Sequence, residues 1–181
     1  MLGPSIFVFT GTSGAGRKTI ARKVGEALNW TAVRSCTTRE PRNPAAPDKD
    51  YRYMSREQFD EWDSEGKFAQ TASINGNRYG VPRHELEAAL SAGNSVYLVL
   101  NREGAEAIRK QYGDCTIRIF IYVDKITVRE RLESKGTPYE TVQRYLDSYT
   151  EEVTYRSKCE YTFENVNADR TAELIRTAVA R

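Results

Sequence analysis

Residues Gly11 to Ile20 read GTSGAGRKTI, and the reading of this stretch decides the fold. Gly11 and Gly16 have the spacing of the pattern G-x-x-x-x-G-K-[S/T], in which the backbone N–H groups of a tight turn cradle phosphate. In that register Arg17 takes the lysine position and Lys18 the hydroxyl position. Arg17 supplies a permanent positive charge, as a planar fork instead of a point charge. Lys18 cannot ligate a metal, because an ammonium has donors only. Slipping the register to make Lys18 and Thr19 the functional pair would turn each by ~100° around the following helix. The loop would then have to absorb an extra residue, so the unslipped register is expected.

The flanks support the same reading. Ser5–Thr10, SIFVFT, is a short apolar run rich in β-formers, and Lys18–Leu28 places Ile20, Val24, Ala27 and Leu28 on one side of a helix. Strand, glycine turn and helix together present N–H groups and the positive end of a helix to one anion. Two further apolar strands, SVYLVL (Ser95–Leu100) and TIRIFIYV (Thr116–Val123), are separated by the helical REGAEAIRKQY (Arg102–Tyr112). A last strand at Tyr161–Phe163 and a helix from Asp169 to Val179 complete the series. Apolar strands alternating with helices predict an α/β protein with a parallel sheet covered on both faces.

Two segments break this rhythm. Thr37–Asp50, TTREPRNPAAPDKD, carries three prolines among basic residues and reads as an exposed loop. After it come a predicted strand (Tyr51–Met54), a helix opened by the Ser55–Gln58 capping box, and a hairpin turning at Asn75-Gly76. This is a small mixed lobe, with Phe59 and Trp62 as its core. Lys125–Cys159 is helical and charge-rich, broken at SKGTPYE, where Gly136 ends one helix and Thr137–Glu140 caps the next. The expected division is a core of residues 3–34, 95–124 and 160–181, a lobe of 35–94 and a helical lid of 125–159.

Composition bounds the setting. A chain of 181 residues with 39% hydrophobic and 29% charged residues fits one soluble domain. A net charge of +2 argues for neither nucleic acid nor an anionic membrane as partner. Cys36, Cys115 and Cys159 are odd in number and widely spaced, as expected of thiols in a reducing compartment. With no apolar run of roughly 18 residues and no basic leader, a cytoplasmic location is expected. His84, the single histidine, is expected at the surface with no role.

The loop GTSGAGRKT, the motif TTRxPR at Thr37–Arg42, Asp50-Tyr51 and the hairpin NGNRYG (Asn75–Gly80) together give the chain a resemblance to the guanylate kinases over nearly all its length. The resemblance implies a P-loop parallel-sheet core covered by helices, an inserted α+β nucleoside-monophosphate lobe, and a lid. It implies ATP-dependent phosphoryl transfer to GMP, dGMP or a related monophosphate, with ATP and Mg²⁺ as cofactors. By position, Gly11, Thr12, Ser13, Gly14, Ala15, Gly16, Arg17, Lys18 and Thr19 would hold ATP, with Asn165 near its adenine. Ser35, Arg39, Arg42, Tyr51 and Tyr79 would hold the monophosphate. Arg17, Arg131 and Arg144 would stabilise charge on the transferring phosphoryl, while Lys135 replaces another lid arginine.

The chain also departs from the family pattern. Base-reading acidic positions fall at Gln70 and Asn101, and a third acidic position falls at Val99. An amide offers one acceptor and one donor group, where guanine presents adjacent donors. Val99 and Lys18 remove a carboxylate and a hydroxyl from the metal's neighbourhood, so no protein metal ligand is assigned and Mg²⁺ would be held mainly by phosphates and water. The alternative reading is a catalytically impaired module that binds a nucleotide or a phosphopeptide at the retained phosphate site.

Overall fold

The apolar run before the loop forms β1 (Ile6–Gly11), and its alternating side chains divide between two cores. Phe7 and Phe9 enter one and Ile6 and Val8 the other. A strand buried on both faces belongs in the middle of a parallel sheet. The computed structural model, which describes residues 3–180, places it there.

In chain order β1 is followed by α1 (Arg17–Ala27), β2 (Thr31–Ala32), β3 (Ser35–Thr37), β4 (Tyr51–Tyr53), α2 (Arg56–Ser64), β5 (Phe68–Ile74), β6 (Asn77–Pro82) and α3 (Arg83–Ser91). Then come β7 (Val96–Val99), α4 (Arg102–Tyr112), β8 (Thr116–Tyr122), α5 (Lys125–Ser134), α6 (Tyr139–Thr154), β9 (Tyr161–Glu164) and α7 (Ala168–Val179). The main sheet is parallel with order β2-β7-β1-β8-β9. Apolar faces of α1, α5, α6 and α7 cover one side through Ile20, Val24, Val128, Leu132, Val142, Leu146 and Ile175. Leu86 of α3 and Ala105 and Ile108 of α4 cover the other.

The lobe is a second sheet of order β4-β3-β6-β5. Ser55 caps α2 through a reciprocal box with Gln58, and Asn75-Gly76, both at positive φ, make the hairpin turn between β5 and β6. Phe59, Phe68 and Cys36 form its small core, with Trp62 and Met54 packed against it. All three cysteines are free, and burial pushes the Cys36 thiol up to about 11.

Three details differ from the sequence reading. Thr37, read as the start of an exposed loop, is fully buried on β3 and pairs with β6. The short edge strand β2 carries too little pattern to be legible in sequence. Thr137 does not cap α6: its N–H donates to Leu132 O at 3.1 Å and closes α5 beyond the left-handed Gly136, while Pro138 stands at the α6 N-cap with no side-chain cap bond. No helix of the described residues is long and apolar enough to cross a membrane.

A buried cation fastens the far end of the sheet. Arg118 on β8, 8% exposed, donates to Glu106 at 2.9 Å, to Glu160 at 2.9 Å and to the Tyr155 hydroxyl at 3.2 Å. Against the opposing effect of burial, the Arg118 guanidinium holds the Glu160 carboxyl below its usual range. That contribution is complete above the unfolded carboxylate range and is lost as pH falls through the lowered folded value. Replacing Arg118 by Met, which strands two carboxylates, is expected to cost about 3 kcal/mol. Urea unfolding at neutral pH and near pH 3 checks both points: the variant's deficit should shrink in acid, and an equal deficit at both would contradict the coupling to Glu160.

Candidate functional site

The site forms where β1 ends between β7 and β8. At Gly11 the backbone has φ 140° and runs so close to β8 that a Cβ would lie 1.8 Å from the Ile121 carbonyl oxygen. Only glycine can start the loop there. Thr12 N–H then donates to Ile121 O at 3.1 Å. Gly16, left-handed at φ 83°, is the N-cap of α1 and offers no capping side chain, so the first N–H groups of the helix stay available to an anion. Helix α1 begins at Arg17 with no residue interposed. Arg17 and Lys18 both line the cleft in front of the loop, and Thr19 is exposed and lies outside that lining. The backbone adopts the unslipped register.

That cleft, of about 570 Å³, runs between the loop and the lobe. Arg39, Arg42, Tyr51 and Tyr79 line its lobe side. Arg39 is positioned by its own N–H, which donates to Thr37 Oγ1 at 3.1 Å, and by the Tyr53 hydroxyl, 3.4 Å from Nη2. Its Nε is buried with no partner, a donor placed for an absent acceptor. The Arg39 guanidinium lies 5.2 Å from the centre of the Tyr51 ring, and the Tyr51 and Tyr79 rings are 5.6 Å apart. Burial, followed by the neighbouring Tyr51, raises the Tyr79 hydroxyl and keeps it a donor. Ser35 is buried on β3 and lines a second cleft of about 460 Å³ instead, although Lys18, Tyr51 and Val99 are common to both.

At the other end Gln70 and Asn101 converge on the start of α4. Asn101 Oδ1 accepts the Gly104 N–H at 2.9 Å as the helix cap, which leaves its amide N–H₂ as the free function. A Cβ on Gly104 would stand 3.3 Å from Gln70 Nε2 and 3.2 Å from Asn101 Oδ1, so glycine there lets the two amides approach. Both line the main cleft, and Gln70 is buried.

The lid residues are arranged differently from the expectation that they face the cleft. Arg131 donates to Asn165 O at 2.7 Å, and Arg144 is exposed and donates to Thr141 Oγ1 at 3.2 Å; neither lines the cleft. Asn165 is buried and ties the end of β9 to the loop, Nδ2 donating to Ala15 O at 2.7 Å, while its Oδ1 has no partner.

Glu152 on α6 is a site residue that sequence reasoning missed. Its carboxylate accepts the Ser13 N–H at 2.7 Å and the Ser148 hydroxyl at 2.5 Å. Nearby, Glu151 pairs with Arg102 at 2.8 Å and the Tyr149 hydroxyl donates to Val123 O at 2.7 Å. The C-terminal half of α6 is thereby anchored to the loop, to α4 and to the end of β8. No local signal marks Glu152, because its partner Ser13 lies 139 residues away.

The residues at the loop do not fit a divalent cation held by the chain. Lys18 presents only donors where a hydroxyl would ligate, and Val99 is apolar. Glu151 is already paired with Arg102, and Glu152 with Ser13 and Ser148. Among the described residues no group of three or more His, Cys, Asp or Glu side chains could hold a metal ion.

A glycine loop at the carboxyl end of a parallel sheet, facing a cleft shared with a basic, tyrosine-rich lobe and overhung by helices, defines a P-loop nucleotide-binding protein. The guanylate kinase family model matches residues 4–180. A guanylate kinase of Rubrobacter xylanophilus is 38% identical over 91% of this chain and 86% of its own length. One of Thermotoga maritima is 31% identical over 94% and 83%. The crystal structure of guanylate kinase from Anaplasma phagocytophilum superposes with a TM-score of 0.78 at 26% identity, covering 98% of this chain and 85% of that one. The chain belongs to the guanylate kinase family.

The Glu152 tie gives a direct test of loop order. Glu152→Ala should speed amide hydrogen exchange at Ser13–Gly16 by about tenfold, since a charge-assisted bond to the loop is lost. Unchanged exchange in that segment would show that the carboxylate does not hold the loop.

Proposed function

We propose that this protein transfers the γ-phosphoryl of ATP to GMP or dGMP. The observation that carries the reading is the single cleft into which both the loop pair, Arg17 and Lys18, and the lobe group, Arg39, Arg42, Tyr51 and Tyr79, project. A triphosphate on the loop and a monophosphate on the lobe would meet across it. The bond from Pγ to the β,γ-bridging oxygen breaks, a bond from Pγ to an acceptor phosphate oxygen forms, and ADP leaves. Such catalysis is mostly positioning and charge stabilisation.

Arg39 supports this assignment through its unpartnered Nε, and a guanidinium fork suits a phosphate well. Arg42 and the hydroxyls of Tyr51, Tyr79 and Ser35 complete the monophosphate group, Ser35 from the adjoining cleft. The loop and the start of α1, Gly11–Thr19, would hold the ATP phosphates, with the N–H groups of Gly14, Gly16, Arg17 and Lys18 free of the partners that Thr12, Ser13 and Ala15 have, and Asn165, buried behind the loop, is assigned to the adenine side by position alone. Arg17 neutralises charge at the γ-phosphoryl. Arg131 and Arg144 join it only after the lid helices swing toward the loop, a gating step common to enzymes that must exclude water. Mg²⁺, which the family uses with ATP, would be held by the phosphates and water, since no side chain of the cleft is assigned to it. A cytoplasmic setting accords with the three free thiols.

The test is ADP release with ATP and Mg²⁺ against GMP, dGMP, AMP, CMP and UMP, paired with calorimetric binding of each monophosphate. Turnover on GMP or dGMP is expected. Arg17→Ala should abolish turnover, by a factor of about 10³, and leave GMP binding intact. GMP binding without turnover in the natural chain would instead identify a non-catalytic phosphate-binding module.

Base choice follows from Gln70. Its amide offers guanine one acceptor oxygen where a carboxylate offers two, and Asn101 Oδ1 already accepts one hydrogen bond from the α4 cap. Gln70→Glu is therefore expected to widen the GMP-over-AMP affinity ratio by about tenfold. A ratio unchanged in calorimetry would remove Gln70 from base reading.

A further inference from the structure

We propose that Lys18 is a built-in cation at the junction of the donor and acceptor phosphates, making triphosphate binding independent of a divalent metal. The inference rests on the phosphotransferase assignment above and adds a role for a residue at which the loop pattern calls for a hydroxyl.

Lys18 stands in the first turn of α1, immediately after the loop, yet its side chain reaches toward the lobe. Its ammonium lies 4.3 Å from the centre of the Tyr51 ring and 3.8 Å from an Asp50 carboxylate oxygen. The Arg39 guanidinium sits 5.2 Å from the centre of the same ring. Lys18 thus joins the cluster that contains the unpartnered Arg39 Nε. It also lines both clefts, the one in front of the loop and the one behind Ser35. No other basic residue of the loop does so.

The present partner of Lys18 is weak. Both side chains of the Lys18–Asp50 pair are nearly half exposed, at 44% and 47%, and such pairs contribute little. A phosphate dianion would outcompete Asp50. An ammonium on a flexible stem then serves as a point charge that stays with the phosphoryl group as it passes from donor to acceptor. Such a charge has a use here, because the position at which the loop pattern has a hydroxyl carries the ammonium itself and the end of β7 offers Val99 instead of a carboxylate. Two elements that would recruit a metal are absent together, and a fixed cation occupies one of the two positions.

Calorimetry of ATP in EDTA and in Mg²⁺ tests this on the whole chain, with Lys18→Met, Lys18→Thr and GMP-dependent ADP release measured alongside. The natural protein should bind the two forms of ATP within about fivefold of each other. Lys18→Met should weaken binding of metal-free ATP by about tenfold or more, and Lys18→Thr, which restores the hydroxyl, should bind ATP more tightly with Mg²⁺ than without, by a similar factor. A preference of the natural chain for the Mg²⁺ form beyond about fivefold, or metal-free affinity unchanged in Lys18→Met, overturns the role of Lys18; with GMP turnover retained, the phosphotransferase assignment stands. No ATP binding in either condition and no turnover overturns both.

Discussion

The close passage of Gly11 against the Ile121 carbonyl is the constraint on which the site depends. Because β1 and β8 pair in parallel through Gly11 and Ile121, the chain must turn at that point and nowhere else. With a Cβ excluded, the backbone turns into a loop in which the Thr12, Ser13 and Ala15 N–H groups donate to Ile121 O, Glu152 and Thr12 O, and α1 can start directly at Arg17. The direction of Arg17 and Lys18 follows from that start. Arg17 faces the floor of the cleft near the Leu100 carbonyl, and Lys18 crosses to Tyr51.

Around this loop the molecule separates rigid from adaptable parts. The loop is tied at its back by Asn165 and at its front by Glu152, both reaching it from segments late in the chain. The C-terminal half of α6 is held by Glu152 together with Glu151 and Tyr149, whereas Arg144 and Tyr139, nearer its start, face solvent. The inner face of the same helix is held by Val142 and Leu146, which are buried in the main core beside Val128 and Leu132. The lobe has its own small core in Phe59, Phe68 and Cys36.

The polar chemistry of the cleft is uneven, and the unevenness has a physical sense. Phosphate recognition uses backbone N–H groups, guanidinium forks and tyrosine hydroxyls, all of which are present. Under the proposed function base recognition and metal handling would need acceptors, and for those tasks the chain has the amides of Gln70 and Asn101, the latter capping α4, an apolar valine and an ammonium. Anion binding can be supplied by backbone conformation and net positive charge, so it tolerates changes of side chain that acceptor-dependent tasks do not.

The sequence by itself determined much of this. Glycine spacing, the alternation of apolar strands with helices, the Ser55 capping box and the Asn75-Gly76 turn are local signals, fixed by backbone sterics and by the periods of strand and helix. They marked the glycine loop, the small mixed lobe and the charge-rich helical segment after β8, and they argued against the slipped register. Only the tertiary structure decided where long side chains end. Arg131 turned to the Asn165 carbonyl, Ser35 to the adjoining cleft, Asn101 to its own helix and Glu152 to Ser13. Those outcomes depend on which partners lie within about 3 Å, a distance set by packing between segments up to 150 residues apart, and no pattern of neighbours along the chain encodes it.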